Sequence, residues 1–186
     1  MAALIPSASA TGSGTMTLAG PSTNSNQTVT IPDATGTMMV SGNMPAFSAT
    51  MTANQSIASS TFTLIQFNST SGGLGFDTAS YFNTSTYLYN PKVAGYYQVT
   101  GALAGPSTVV GQLACYLYKN GTAFAELAGI ANVSGGAEAC GTCLIYLNGS
   151  TDYIQIYAYQ TSGSSANIFS GSTIASYFQA VMVRNA

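Results

Sequence analysis

From Ala46 onward, apolar residues recur at alternate positions in short runs separated by Gly, Pro, Asn and Ser. That period belongs to strands with one buried face, and almost no stretch repeats with helical spacing. The runs predict strands at Ala46–Met51, Phe62–Phe67, Thr86–Tyr89, Tyr96–Leu103, Gln112–Tyr118, Ala123–Leu127, Thr142–Leu147, Tyr153–Gln160 and Ser176–Val183. Within Tyr153–Gln160, Ile154, Ile156 and Ala158 share one face, while Tyr153, Gln155, Tyr157 and Tyr159 share the other. Gln112–Tyr118 repeats this, with Cys115 and Leu117 opposite Tyr116 and Tyr118. The aliphatic faces are the expected core. The five tyrosines, Tyr116, Tyr118, Tyr153, Tyr157 and Tyr159, form either a plain outer sheet face or a subunit interface, since contiguous aromatic patches rarely stay in water.

Turn chemistry punctuates the runs. Lys119-Asn120-Gly121-Thr122 predicts a hairpin with a type I′ turn, and Asn148-Gly149-Ser150-Thr151-Asp152 predicts a second hairpin with a longer loop. Roughly nine strands in about 140 residues fit a two-sheet jelly roll, an all-β sandwich. Ser41-Gly42-Asn43 marks a boundary between residues 1–43 and a globular head at 44–186. Residues 1–13 are small and polar, and Thr15–Val40 reads as short extended pieces with too few apolar groups for their own core. This N-terminal segment is therefore expected to be an extended, β-rich arm that pairs with other copies or with a partner protein.

Composition sharpens the picture. Only 4% of the 186 residues are charged, against about 25% in a typical soluble domain. The charged set is Asp33, Asp77, Lys92, Lys119, Glu126, Glu138, Asp152 and Arg184. A surface of Ser, Thr, Asn, Gln and Gly guards poorly against association, which suits an oligomer or a part of a larger particle. The 12 tyrosines and absence of tryptophan fit surfaces that are apolar on one side and wet on the other. Three scattered basic residues argue against nucleic acid and against a polybasic membrane patch. No apolar run approaches the ~20 residues of a spanning helix, and Met1–Ala10 lacks the pattern of a secretory leader, so Asn-x-Ser/Thr sites such as those at Asn26, Asn68, Asn83, Asn132 and Asn148 read as chance matches.

Candidate chemistry is sparse. There is no histidine, which removes the commonest general base. Glu126 with Glu138 is the only carboxylate pairing worth testing for glycosidase chemistry. Cys140-Gly141-Thr142-Cys143 has the spacing of a redox or zinc half-site. With Cys115 as the remaining thiol, however, four zinc ligands cannot be assembled from Cys and His. On a strand, residues three apart face opposite ways, so the expectation is three free thiols, with a disulfide involving Cys115 as the alternative. No catalytic residue, metal or cofactor is expected.

Two segments carry resemblances. Phe67-Asn68, Gly75-Phe76-Asp77, Tyr81-Phe82, Pro91 and Gly95-Tyr96-Tyr97-Gln98-Val99 resemble, in order, the globular head of complement first component q, a tumour-necrosis-factor-like jelly roll. Leu147–Ile156 is similar to that family's Leu-x-x-Gly-Asp-x-Val-x-Val run, with a longer loop, and Ser176–Val181 occupies the place of its last strand. The resemblance covers about 44–186 and implies a homotrimer. Calcium is not carried over with it, because Asp77 and Asp152 are isolated and calcium takes six to eight oxygens. In the arm, Thr28–Val40 resembles a segment of phage fibre proteins that forms intertwined β structure. Val29, Ile31, Pro32, Met38, Met39 and Val40 are then the expected attachment residues.

Together these imply a non-enzymatic virion protein, assembled in the host cytoplasm and released by lysis. Its partners would be its own copies, tail or capsid proteins, and a host-surface glycan or protein. As a fibre or spike it would display loops Ser69–Leu74, Gly105–Gly111, Asn132–Ala139 and Thr161–Asn167 for adhesion. As a capsid cement protein, which the short chain favours, it would clamp neighbouring capsomers.

Overall fold

The computed structural model describes residues 44–106, 108–134, 136–170 and 176–186. The arm residues Val29, Ile31, Pro32, Met38, Met39 and Val40 lie outside the described residues.

The described chain holds thirteen strands: β1 (Ala46–Thr50), β2 (Gln55–Ile57), β3 (Thr63–Leu64), β4 (Phe76–Asp77), β5 (Phe82–Asn83), β6 (Leu88–Tyr89), β7 (Gly95–Gly105), β8 (Thr108–Lys119), β9 (Thr122–Ser134), β10 (Ala137–Leu147), β11 (Ile154–Gln160), β12 (Ala166–Ile168) and β13 (Tyr177–Asn185). They form a five-stranded sheet, β10-β7-β13-β1-β4, and a six-stranded sheet, β5-β6-β11-β8-β9, with β3 also on β11 and a separate β2–β12 pair. All pairings are antiparallel, and chain neighbours repeatedly fall in opposite sheets. This is the jelly roll that the alternation predicts.

The core fills the space between the sheets as the pattern requires. Ile154, Ile156, Ala158, Cys115 and Leu117 are fully buried, and Phe47 stacks on Phe82 and Tyr89 with centroids 4.9 and 4.2 Å away. Phe178 meets Phe47 edge-on at 4.9 Å. Each such ring contributes about 1.5–3 kcal/mol by burial. Tyr89 is the exception in chemistry: its hydroxyl is the only buried side-chain polar atom without a partner among the described residues.

Asn120 and Gly121 adopt φ of 53° and 77°, the left-handed pair of a type I′ turn, and this closes the β8–β9 hairpin. The second expected hairpin is not one. Leu147 pairs with Gly95 in the five-stranded sheet, whereas Ile154 pairs with Lys119 in the six-stranded sheet, so residues 148–153 carry the chain between layers. The loop is wound for that crossing. Asn148 Oδ1 accepts the N–H groups of Ser150, Thr151 and Asp152, each at 3.0 Å. The buried Asp152 carboxylate then ties the crossover to the hairpin turn, accepting from Lys119 Nζ at 2.8 Å, Asn120 Nδ2 at 2.8 Å and the Asn148 N–H at 3.0 Å. Burial opposes its charge, but these donors outweigh it and hold the carboxyl below its ordinary value.

Phe62–Phe67 is strand only at Thr63–Leu64, although Ile65 still donates to Ile156 O and is buried with Phe67. The short β2, β4, β5 and β12 have no counterpart among the predicted strands, because two or three residues are too few to show a period.

Candidate self-association and recognition surfaces

The two outer faces differ in how their apolar side chains are satisfied. On the six-stranded sheet, β8 and β11 adjoin with Tyr116 opposite Tyr157, so the predicted tyrosines meet. Tyr118 stacks on Tyr157 at 3.9 Å, and Phe62 covers Tyr159 at 4.6 Å and Tyr116 at 5.0 Å. Tyr116 donates its hydroxyl to Glu126 Oε2 at 2.6 Å. That bond, with burial and the carboxylate's charge behind it, pushes the phenol up to about 12. Tyr153 stands just before β11 near the hairpin turn, its N–H donating to Asn120 Oδ1 at 2.9 Å. The five rings are half-buried.

The five-stranded sheet is different. Phe76 of β4, Tyr96 of β7, Leu144 and Tyr146 of β10, and Val181 and Val183 of β13 point outward and are 42% to 63% exposed. Register places Val181, Gln98 and Leu144 in one row across three strands, with Tyr96 beside Tyr146 in the next outward row. Above them the face becomes polar but uncharged: Thr142 Oγ1 donates to Val99 O, and Gln179 Nε2 donates to Ser48 Oγ. Among the described residues, Glu138 and Arg184 are the only charged side chains placed on this face by strand register. Sequence reasoning missed these residues because it read faces only along Tyr153–Gln160 and Gln112–Tyr118, although outward aliphatics at alternate positions were the available signal.

A second bare spot lies on the flank where β9 and β10 close the sandwich. Phe124 is 49% exposed there. Gly141 explains the closeness of that flank, since a Cβ on it would collide with the Leu127 carbonyl of β9. The glycine of Cys140-Gly141-Thr142-Cys143 thus serves packing. Cys140 is exposed beside the Tyr177 hydroxyl at 3.7 Å, Cys143 faces inward, and Cys115 is buried; all three are free thiols. Burial pushes the Cys115 and Cys143 thiols up, which disfavours the nucleophilic thiolate. Glu126 and Glu138 occupy the outer faces of opposite sheets, so they do not face one another across a substrate space. Among the described residues, no group of three Cys, Asp or Glu could hold a metal ion.

The sandwich is polar end to end. Met44, the C-terminal Ala186, the Asn120-Gly121 turn and the crossover gather at the Gly95 end of β7. The described parts of Ser69–Leu74, Gly105–Gly111, Asn132–Ala139 and Thr161–Asn167 gather at the Gly105 end, where Thr50 bridges Ser69 and Gly105 lies over Leu113. About 33 Å separates the two ends at ~3.3 Å per residue. All four predicted recognition segments thus share the end far from residue 44.

No protein-family model matches the chain, and no curated protein does. Solved structures do. Murine APRIL superposes with a TM-score of 0.57 at 10% identity, covering 75% of this chain and 99% of that one. Eiger TNF from S. frugiperda gives 0.55 at 8% identity, covering 77% and 93%. The globular domain of zebrafish complement 1qA gives 0.51 at 14% identity, covering 76% and 99%. The chain has the jelly-roll fold of tumour-necrosis-factor and complement-q globular domains.

Proposed function

We propose that this protein is a non-enzymatic structural component of a phage particle: a homotrimeric fibre- or spike-type appendage, attached through residues 1–43 and exposing its head for adhesion to the host surface. The observation that carries the reading is the bare apolar face of the five-stranded sheet, centred on Leu144, Val181, Tyr96 and Tyr146. In a protein with 4% charged residues, little else keeps such a face from pairing. The face and the Phe124 flank are different surfaces. A contact between the face of one copy and the flank of the next would be head-to-tail, and head-to-tail contacts end only when the rotation closes a ring. Three copies is the number that the complement-q and tumour-necrosis-factor resemblance implies. The polarity of the head supports the display role, because the recognition loops lie at the end opposite Met44, where the attachment segment joins.

The tyrosine ladder favours a second reading, a capsid cement protein. A ring closed through the five-stranded face leaves Phe62, Tyr116, Tyr118, Tyr157 and Tyr159 on the outside, free to rest on a shell. If the ladder itself closes the ring, the five-stranded face takes that outward place instead.

Imaging the assembled particle decides between these readings. Density for three copies on the tail or a stalk supports the appendage, and three copies bridging capsomers support cement. A native mass of one chain, 19.0 kDa, with no density on any particle overturns both.

A further inference from the structure

The geometry points to a binding site for a neutral saccharide unit in the cleft at the loop end of the sandwich, a proposal that rests on and deepens the adhesion reading. The cleft holds about 340 Å³, at the lower end of the size range for small-ligand sites. Its inner wall is apolar, from Leu113, Ile168 and Phe169, and its rim carries Ser164, Ser165 and Asn167. Among the described residues, no charged side chain lines it.

Two features separate this cleft from an ordinary surface hollow. First, its frame is fixed. Gln160, 1% exposed, donates from Nε2 to Ser164 O at 2.7 Å and to Ile57 O at 3.4 Å, and its Oε1 accepts the Ser162 N–H at 2.7 Å. The Gly163 N–H donates to Ser59 Oγ at 3.0 Å, Asn167 is held in the β12–β2 ladder opposite Ser56, and the Phe169 N–H donates to Ala104 O at 2.8 Å. Second, the polar tips on that frame are unspent. The Asn167 carboxamide and the Ser164 and Ser165 hydroxyls make no hydrogen bond within the described chain. A pre-organised wall with open donors and acceptors lowers the ordering cost of binding.

The chemistry selects the ligand class. Without a counter-charge, an anionic or cationic ligand would lose its hydration shell uncompensated. A carboxamide offers one acceptor and two donors, and a hydroxyl offers both roles, so the rim matches neighbouring hydroxyl groups. The Phe169 side and the aliphatic wall match the C–H face of a pyranose ring. A neutral sugar satisfies both halves of the cleft. A purely apolar ligand would leave the rim unpaired.

Ligand-observed NMR on the full chain tests this with methyl glucosides, methyl galactosides and N-acetylglucosamine, against glucuronate and glycerol. The expected result is binding of at least one neutral pyranoside with a Kd of about 1 mM, and clearly weaker binding of glucuronate and glycerol. Asn167→Ala and Ser165→Ala should each weaken binding about tenfold. Their melting temperatures should stay at the wild-type value, since these side chains bond nothing in the fold. Failure of every neutral pyranoside to bind, equal binding of glucuronate, or loss of binding in Tyr118→Ala with retention in Asn167→Ala would each overturn the site. Particle location and oligomer mass are read without any sugar, so failure of the cleft leaves the appendage reading to stand or fall separately. Host cells that still bind the full-length Asn167→Ala protein as tightly as wild type would likewise sink the cleft while keeping adhesion.

Discussion

On the six-stranded sheet, aromatic rings cover one another across neighbouring strands; on the five-stranded sheet, Tyr96 and Tyr146 meet at 5.5 Å, but the aliphatic Leu144, Val181 and Val183 stay exposed beside them. Both faces are rich in large apolar groups and nearly free of charge. The difference is internal satisfaction. Tyr118 and Tyr157 stack, Phe62 closes over Tyr159 and Tyr116, and Glu126 takes the Tyr116 hydroxyl. Leu144, Val181 and Val183 have no such cover. Ring count alone is therefore a poor guide to which surface needs a partner. What counts is the apolar area left over after intramolecular contacts are made.

The largest test of this contrast places a charge on each face. Leu144→Asp should convert the proposed trimer into single 19.0 kDa chains, since an unpaired carboxylate forced into each contact costs several kcal/mol. Sedimentation at fixed concentration reads the outcome. Tyr118→Ala should leave the oligomer intact, and the opposite pair of results would hand the interface to the tyrosine ladder. Next in size is Tyr157→Ala. It removes a stacked ring and should lower unfolding stability by about 2 kcal/mol in chemical denaturation, with assembly unchanged.

Asp152→Asn comes third, because this carboxylate joins the β8–β9 hairpin turn of one sheet to the crossover that leaves β10 of the other. Loss of its charged bonds should cost about 1–2 kcal/mol at neutral pH. The sign with pH follows from the lowered folded value. The contribution is complete above the ordinary carboxyl value of 3.8 and disappears as pH falls through the lower folded value. The wild-type acid limb should therefore flatten in the variant. The smallest effect is spectroscopic. Glu126→Gln removes the carboxylate that accepts from Tyr116, and that phenol should then titrate nearer its ordinary 10.0 than at about 12. Stability from this bond is full below pH 10 and lost as pH rises through about 12, so ultraviolet titration of the variant should show one tyrosine ionising earlier.

Much of this architecture could be read from the chain. The Ile154, Ile156, Ala158 face is buried as its alternation requires, and Asn120-Gly121 adopts the backbone its two residues favour. The crossover at 148–153 was misread because a loop rich in Asn, Gly and Ser looks alike whether it joins strands in one sheet or in two. Only the pairing of Leu147 with Gly95 and of Ile154 with Lys119 separates the cases, and pairing is long-range information. The same limit applies to the faces. Tyrosines at alternate positions were visible, but their mutual cover depends on β8 lying beside β11. The loop Thr161–Asn167 stands out by composition only as a candidate recognition segment. That buried Gln160 pins it, leaving the Asn167 carboxamide open, was not legible, since one glutamine at a strand end carries no signal of its own.

The contact of Gly141 with the Leu127 carbonyl has a bearing on how such a chain survives its own synthesis. A polypeptide with so few charges cannot hold identical copies apart by repulsion in a crowded cell, and two long edge strands would ordinarily invite runaway sheet growth into fibrils. By laying β9 against β10, the bare glycine turns those two edges toward each other. A single added methyl group at that position would pry the seam open and expose unpaired backbone to every neighbouring copy.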